Sequence, residues 1–231
     1  MNIVAIIQAR MDSTRFPEKM RAFLGDLTII EWVILRVKKA KLLDNIVLAT
    51  SDDKSDDYLI DIANKHKIKN FRGSKEDVLN RFIKAASQFN ADHVVRICAD
   101  NPFICYELID DLVRYYLSDN YDLVFNHSPQ LNSNFVDGFG AEIMPFNILN
   151  KISEEACLNV HKEHVTKYIY DNYNEYNIST PPCPKELSFP HLSFDVDEVK
   201  DLKKLNNLLN SNHINVTTSA KDILKIYSKN Y

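Results

Sequence analysis

A basic loop directly after the first apolar run of the chain carries the side chains best suited to bind a charged ligand. Residues 3–7 form an uninterrupted apolar, largely β-branched run, which is typical of a strand buried on both faces of a parallel sheet. Arg10, Arg15 and Lys19 follow, together with the hydroxyl of Ser13. Because loops at the carboxyl ends of such strands bind ligands in α/β proteins, this set predicts a polyphosphate site. A solvated basic loop is the alternative.

Three aspartates in two distant segments predict a site for a hard metal ion. Asp100 follows another buried run and should emerge at the carboxyl edge of the same sheet. Asp195 and Asp197 flank a short apolar segment near the end of the chain. Magnesium is typically held by one or two carboxylates, waters and substrate phosphates, so Asp100 and Asp197 are its predicted ligands. The alternatives are a turn before Pro102 for Asp100 and a helix N-cap for Asp197.

Composition and charge narrow the class of protein. The 231 residues are 45% hydrophobic and 26% charged, which suits one globular α/β domain, and the net charge is −4. That charge argues against a general nucleic-acid-binding surface. We expect no membrane span and no secretory leader, since no segment has the required apolar pattern. The four cysteines show no C-x-x-C pairing, so we expect a cytoplasmic protein, and Cys98 is interpreted as a core residue rather than a nucleophile.

Strand and helix patterns alternate through the first half of the chain. Strands are predicted at 3–7, 46–50, 68–71 and 92–97, and helices at 29–41, 55–65, 74–86 and 106–117. The third helix would begin with Ser74 as its cap and Asp77 in a capping box. Strands that alternate with helices imply parallel pairing and right-handed crossovers. The predicted fold is therefore a three-layer α/β/α sandwich with a mainly parallel central sheet.

The pattern changes after residue 125. We predict a loop from 126 that leads into an antiparallel strand ending near 143, a helix at 154–173, irregular chain at 179–190, a strand at 193–196 and helices at 198–209 and 219–227. Residues 1–231 are interpreted as one domain. Within it, residues 125–190 are the predicted small antiparallel and helical lobe, which would bind an acceptor or form a dimer arm.

Six motifs, in this order, are similar to those of a known enzyme family. They are Ala5-Ile6-Ile7-Gln8-Ala9-Arg10-Met11-x-Ser13-Thr14-Arg15-x-Pro17-x-Lys19, Phe71-Arg72-Gly73-Ser74-x-x-Asp77-Val78-Leu79-x-Arg81, Val95-Arg96-Ile97-x-x-Asp100-x-Pro102, Asp137-Gly138, Glu163-His164-Val165-Thr166 and Asp197-x-x-x-Asp201-Leu202. Over nearly its whole length the chain resembles the spore-coat-polysaccharide cytidylyltransferases, relatives of the CMP-KDO and CMP-sialic acid synthetases. The first motif is the most specific. The resemblance implies the Rossmann-like nucleotide-diphospho-sugar transferase fold.

The resemblance also implies a reaction and a role for each matching residue. The reaction is Mg²⁺-dependent transfer of CMP from CTP to a nonulosonic or 3-deoxy sugar acid, with release of pyrophosphate, in surface polysaccharide or glycan biosynthesis. A homodimer is expected. The implied nucleotide-binding residues are Ala9, Arg10, Ser13, Arg15, Lys19, Arg72, Ser74 and Arg81. Arg10, Arg15, Lys19 and Asp100 would be catalytic, Asp100 and Asp197 would bind the metal, and Asp137, Glu142, Glu163 and His164 would bind the acceptor.

Several of these residues have a second interpretation. Arg72 and Arg81 could form ion pairs with acids on helix surfaces, which would contribute roughly 0–1 kcal/mol to stability. Glu163 could be solvated. His164 could be a packing residue on the apolar side of its predicted helix.

The chain departs from the family pattern at five positions. Asp12 and Glu18 stand where glycine is usual, and an acid there opposes triphosphate binding unless it points away or helps to hold a cation. Ala99 replaces a glycine, Gly140 a frequent aspartate and Val199 a proline. Two other functions remain open. One is a nucleotide-sugar-dependent glycosyltransferase that uses the Asp-x-Asp sequence at 195–197, and the other is a catalytically silent nucleotide-binding subunit.

Overall fold

A computed structural model describes residues 1–127, 133–210 and 212–230. The strands are β1 (Ile3–Gln8), β2 (Phe23–Leu24), β3 (Leu27–Thr28), β4 (Asn45–Ser51), β5 (Lys69–Gly73), β6 (His93–Cys98), β7 (Leu123–Phe125), β8 (Glu142–Pro145) and β9 (Ile178–Ser179). The helices are α1 (Ile29–Val37), α2 (Asp57–Lys65), α3 (Val78–Gln88), α4 (Tyr106–Tyr116), α5 (Phe146–Glu155), α6 (Asn159–Glu163), α7 (Lys167–Asp171), α8 (Val199–Asn210) and α9 (Ala220–Asn230).

Seven of the strands form one sheet in the order β5-β4-β1-β6-β8-β7-β9. The four strands from β5 to β6 are parallel, whereas β8 runs antiparallel to both β6 and β7, and β9 runs parallel to β7. β1 lies between β4 and β6, and its last residue, Gln8, pairs with Ala49 and Cys98. The chain therefore leaves β1 and β6 at the same edge of the sheet.

Alternate residues of β1 enter two separate cores. Ala5 and Ile7 pack on the face covered by α1, α2, α4, α8 and α9, while Val4 and Ile6 pack on the face covered by α3, α5 and α7. This alternation explains why every residue from 3 to 7 is apolar. The predicted three-layer fold with a mainly parallel sheet is confirmed. None of the helices in the described ranges is both long and apolar enough to cross a bilayer.

The third helix begins later than predicted. α3 starts at Val78, because the side chain of Asp77 accepts a hydrogen bond from the backbone N–H of Asn80 at 2.9 Å and caps the helix. The hydroxyl of Ser74 instead accepts from the backbone N–H of Asp77 at 3.0 Å. Residues 74–77 are therefore a turn that leads into the helix.

The second half differs most from the prediction. The range predicted as one helix, 154–173, holds the last two residues of α5 and then the short helices α6 and α7, because Ala156, Leu158 and His164 have extended backbones that interrupt it. The strand predicted at 193–196 is a single bridge between Asp137 and Ser193. Part of the predicted loop, residues 128–132, lies outside the described residues. Within 125–190, β8 and β9 join the central sheet, so this region is continuous with the main fold.

The start of α1 is held by a buried acid. Glu31 is 5% exposed, and its carboxylate accepts hydrogen bonds from the Thr28 backbone N–H at 3.1 Å and from Lys65 Nζ at 2.7 Å. His66 Nε2 lies 3.1 Å from the same carboxylate. Burial alone would raise the pKa of Glu31, but these hydrogen bonds outweigh burial and lower the pKa from 4.5 to about 2. Folding therefore favours the charged carboxylate.

We expect Glu31→Gln to lower the free energy of unfolding by about 2 kcal/mol at neutral pH. Because the folded pKa lies below the unfolded one, this stabilisation is fully present above about pH 4.5 and is lost as the pH falls towards 2. Urea unfolding of both proteins at pH 7, 5 and 3 measures it, with Asp61→Asn as the control on an exposed face of α2. If the difference in free energy of unfolding between the parent and Glu31→Gln stays constant from pH 7 to pH 3, the charged Glu31 carboxylate does not provide this stabilisation.

Candidate active site

A cleft of about 270 Å³ lies at the carboxyl ends of β1 and β6. The predicted site residues that line it are Ala9, Arg10, Ser13, Arg15, Lys19, Asp100, Glu163, His164 and Asp197. They belong to the loop after β1, the turn after β6, the end of α6 and the segment before α8. The fold thus brings four distant segments of the chain to one edge of the sheet.

Lys19 connects three of these residues through one buried ammonium group. Its Nζ donates to the carbonyl oxygen of Val196 at 2.9 Å, to Asp100 Oδ2 at 3.2 Å and to Asp197 Oδ1 at 3.4 Å. A lysine ammonium has three donors, and here all three have an acceptor. Lys19 therefore offsets the repulsion between two carboxylates that the fold places close together.

Asp197 presents its carboxylate to the cleft. Besides Lys19, it pairs with Arg15 at 2.8 Å. The backbone N–H groups of Asp197 and Glu198 both donate to Asp201 Oδ2, at 3.1 and 2.7 Å. Asp201 therefore caps the start of α8, and the interpretation of Asp197 as the N-cap is wrong. The Asp197 side chain is free of that structural role.

Asp100 is held beside Asp197 by the main chain. The backbone N–H of Val196 donates to the carbonyl oxygen of Asp100 at 2.8 Å. Asp100 does lie in the turn after β6, but its carboxylate points to Lys19 rather than back to its own turn. The turn interpretation thus accounts for the backbone of Asp100 and not for its side chain.

The loop that carries Arg10 and Arg15 is fixed by a buried acid that the sequence analysis missed. Asp56 accepts a hydrogen bond from the Met11 backbone N–H at 2.8 Å, as well as bonds from the side chains of Thr50 and Ser51 at 2.7 and 2.6 Å. The loop closes where the Glu18 N–H donates to the Met11 carbonyl oxygen at 2.9 Å. Glu18 has a φ of 57°, a conformation that glycine adopts most readily. The glycine that the resemblance led us to expect at position 18 would adopt this conformation without strain.

A second hollow, of about 180 Å³, adjoins the cleft and shares Arg96, Asp100 and Asp197 with it. Asp137, predicted on the acceptor side, lines this hollow together with Asp195. Burial, and then the negative charges of Asp137, Asp100 and Asp197, raise the pKa of Asp195 to about 6. The hollow is therefore rich in hydrogen-bond acceptors, which suits a ligand with several hydroxyl groups.

Glu142 lies at the back of this hollow and is 2% exposed. Its carboxylate pairs with Arg96 at 2.8 Å and with His127 Nε2 at 3.1 Å, and it accepts from the hydroxyls of Tyr170 and Thr166 at 2.8 and 3.2 Å. Burial opposes the charged form, but Arg96 and His127 prevail and lower the pKa of Glu142. Because its oxygens already accept from these four partners, Glu142 holds Arg96 in place, and its direct contact with an acceptor stays a prediction.

Three predicted nucleotide-binding residues do not reach the cleft. Arg72 pairs with Asp57 and donates to the carbonyl oxygens of Ser51 and Asp53 at 3.3 and 3.2 Å, as the ion-pair alternative anticipated. Arg81 is buried and donates to the carbonyl oxygen of Ser74 at 2.9 Å. Burial lowers the pKa of Arg81 to about 10. Arg81 and Ser74 therefore shape the turn before α3 rather than line the cleft.

The two histidines near α6 have different surroundings. His164 is exposed and lines the cleft, so its interpretation as a packing residue is wrong. His161 is the buried one, and its Nε2 lies 3.0 Å from Asp171. Glu163 Oε1 lies 3.7 Å from Arg10, so it is paired rather than only solvated.

Cys98 and Gly140 were also singled out in the sequence, and the structure shows the surroundings of each. Cys98 is only partly buried and lines the cleft, so its interpretation as a core residue is wrong. Burial raises the pKa of its thiol to about 12, which favours the protonated form over the nucleophilic thiolate. A Cβ at Gly140 would come within 2.0 Å of the Asn126 carbonyl oxygen. This close approach leaves no room for the aspartate that is frequent at position 140 in the family pattern.

Two carboxylates are placed to share a cation. Asp100 and Asp197 both contact one Lys19 ammonium, which shows that a single positive charge can lie between them. Across the described residues, no three His, Cys, Asp or Glu side chains converge on a common ion position. A Mg²⁺ ion bound here would therefore take its remaining ligands from water and substrate phosphates, as this ion usually does.

This fold, with a cationic loop after its first strand and paired aspartates opposite, defines a nucleotidyltransferase. A family model described as cytidylyltransferase matches residues 4–229, and the chain belongs to that family. The chain is 30% identical to the Bacillus subtilis spore coat polysaccharide biosynthesis protein SpsF, over 99% of this chain and 95% of the relative. It is 32% identical to a 3-deoxy-manno-octulosonate cytidylyltransferase of Pelobacter propionicus, over 52% of this chain and 46% of that protein.

A solved structure agrees with the assignment. The structure of a cytidylyltransferase from Leptospira borgpetersenii superposes with a TM-score of 0.92 at 28% identity, and the match covers 100% of this chain and 95% of that one. The predicted family and fold class are therefore confirmed, and the chain is a nucleotidyltransferase enzyme.

We expect Lys19→Met to lower the free energy of unfolding by about 2 kcal/mol, because two part-buried carboxylates would lose their shared counter-charge. Urea unfolding at pH 7 measures the change. Lys84→Met, a substitution of the same type at an exposed position of α3, is the control. Equal stability of the two variants would show that Lys19 does not have this role.

Proposed function

We propose that this enzyme transfers the CMP group of CTP to an acidic sugar, with release of pyrophosphate, in the synthesis of a surface polysaccharide. One observation carries the proposal: Arg15 and Lys19 from the first loop contact Asp197, and Lys19 also contacts Asp100. This arrangement puts triphosphate-binding cations beside two carboxylates of the kind that hold Mg²⁺.

The residues present fit the implied metal ion. Asp100 and Asp197 supply hard carboxylate oxygens, and each side chain is 32% exposed, so both are accessible from the cleft. When bound, Mg²⁺ would polarise the α-phosphate and lower the pKa of the attacking hydroxyl. Lys19 and Arg15 would then exchange the aspartates for phosphate oxygens, which leaves their positive charges satisfied.

The reaction needs positioning and charge neutralisation more than a protein nucleophile. The acceptor oxygen forms the new bond to the α-phosphorus. The bond from that phosphorus to the bridging oxygen breaks, pyrophosphate leaves with the electron pair, and the acceptor proton passes to solvent. Arg10, Arg15 and Lys19 bind the departing negative charge. The raised pKa of Cys98 agrees with a mechanism that uses no thiolate.

A sugar acid is the acceptor class proposed for this side of the site. The hollow of about 180 Å³ presents Asp137 and Asp195 for hydroxyl groups, and among its described lining residues only Arg96 and His127 are cationic or potentially cationic. Both already pair with Glu142, so an acceptor carboxylate would have to share Arg96 with that buried acid. The names of the two curated relatives, one in spore coat polysaccharide biosynthesis and one acting on 3-deoxy-manno-octulosonate, support the same class.

We further propose a cytoplasmic homodimer. The four cysteines are free, which suits a reducing compartment. Leu158 and Val160, 59% and 39% exposed within the 125–190 region, offer an apolar surface that a second copy would cover.

The two rival functions have less support. Membership of the cytidylyltransferase family argues against a glycosyltransferase. A silent subunit would be favoured if Asp12 and Glu18 opposed triphosphate binding, yet Asp12 pairs with Lys75, and Glu18 pairs with Arg21 at 3.3 Å. Neither charge stands uncompensated in the loop.

Pyrophosphate release tests the reaction. The enzyme is incubated with Mg²⁺, each of the four nucleoside triphosphates and a panel of 3-deoxy and nonulosonic sugar acids, with neutral sugars and sugar 1-phosphates for comparison. We expect release with CTP and a sugar acid only. Pyrophosphate release with CTP and a neutral sugar or sugar phosphate, but with no sugar acid, would overturn the acceptor class. No release with any pair of nucleotide and acceptor would count against the function.

We expect Asp100→Asn to lower kcat by at least about 100-fold while the protein stays folded, because a metal-binding carboxylate is lost. The pyrophosphate assay and thermal unfolding measure the two effects. Asp111→Asn, on the exposed surface of α4, is the control. Parent-level turnover in Asp100→Asn would show that this carboxylate does not hold the metal.

We expect Arg15→Ala to raise KM for CTP about ten-fold or more, because a charged contact to the triphosphate is removed. The acceptor KM should change little. Arg114→Ala, which removes an exposed guanidinium paired with Asp111, serves as the control in the same steady-state assay. An unchanged KM for CTP would exclude Arg15 from nucleotide binding.

A further inference from the structure

The two acids of the first loop have different surroundings. Glu18 pairs with Arg21 within its own turn, and neither residue lines the cleft. Asp12 stands nearer the predicted triphosphate-binding cations, with its Oδ1 3.7 Å from Arg10 Nε. An acid at this position would attract Arg10 and repel a triphosphate. The fold therefore has to compensate the charge of Asp12.

The compensating charge comes from another segment of the chain. Lys75, in the turn between β5 and α3, forms a close ion pair with Asp12, and its Nζ also lies 3.9 Å from Asp53. The hydrogen bond to Asp12 raises the pKa of Lys75, so the ammonium stays charged. The pair thus connects the loop after β1 to the turn before α3.

Arg10 is the residue that this pair affects. Its guanidinium lies between two acids, with Nε 3.7 Å from Asp12 and NH2 3.7 Å from Glu163. These distances are longer than those of close charge-assisted hydrogen bonds, so Arg10 is held only loosely. If Lys75 did not hold Asp12, this carboxylate would be free to close on Arg10.

We propose that Lys75 is a positioning residue that binds the carboxylate of Asp12 and thereby keeps Arg10 available to the triphosphate. The inference rests on the proposed use of CTP. Lys75 does not line the cleft itself but a neighbouring hollow of about 410 Å³ that shares Arg10 and Glu163 with it. Its effect on the nucleotide is therefore exerted through Asp12 and not by direct contact.

A double-mutant cycle tests this charge compensation. The affinity for CTP with Mg²⁺ is measured by calorimetry for the parent, Lys75→Ala, Asp12→Asn and the double variant. We expect Lys75→Ala to weaken CTP binding about five-fold. Asp12→Asn should bind at least as tightly as the parent. The double variant should match Asp12→Asn, because the acid that would otherwise close on Arg10 is then neutral.

The controls separate the possible outcomes. Arg21→Ala removes the cation that pairs with Glu18 and should leave CTP affinity within two-fold of the parent, and thermal unfolding verifies that every variant is folded. If Lys75→Ala weakens CTP binding equally with Asp12 and with Asn at position 12, Lys75 is a direct phosphate ligand and the proposal is overturned. The proposal is also overturned if Lys75→Ala weakens CTP binding with neither residue. If the parent binds none of the four nucleoside triphosphates, the proposed function and this inference both fail. CTP binding without coupling between the two residues overturns only the inference.

Discussion

The side chain of Lys19 is only 10% exposed, and its charged ammonium group donates to oxygens of Asp100, Val196 and Asp197. The two acids come from distant segments of the chain, and without a cation between them they would repel each other at short range. The Lys19 ammonium and the hydrogen bond from Val196 to Asp100 therefore hold the segment before α8 against the turn after β6. The geometry of the cleft depends on this shared charge.

The same contact suggests how the empty and substrate-bound sites are related. With no nucleotide, Lys19 and Arg15 neutralise Asp100 and Asp197. Under the proposed function, a metal–triphosphate complex would bring both a cation for the aspartates and anions for the lysine and arginine, so the ion pairs would exchange without leaving a buried charge unpaired. Each of these four side chains would thus keep an oppositely charged partner.

The strands and the nucleotide loop could be predicted because their signals are local. The apolar run of β1 follows from burial of that strand on both faces. The position of Asp100 at the sheet edge follows from its place directly after β6. The α6 region was mispredicted for the opposite reason. A helical period cannot show that the backbone of His164 is extended, so the interpretation of His164 as a packing residue failed. The contact between Asp56 and Met11 likewise depends on tertiary structure.

On the acceptor side, the buried charged groups mostly pair with other groups of the protein. Glu142 uses its carboxylate on Arg96, His127, Tyr170 and Thr166, and a group so fully hydrogen-bonded is costly to disturb. Arg96 is consequently held in one orientation at the boundary of the cleft and the smaller hollow. A guanidinium fixed in this way would contact a negative group at one position, because neither partner of the buried pair can move to meet a misplaced one. If the acceptor is the proposed sugar acid, its recognition should therefore depend on where its acidic group lies relative to the hydroxyl that attacks.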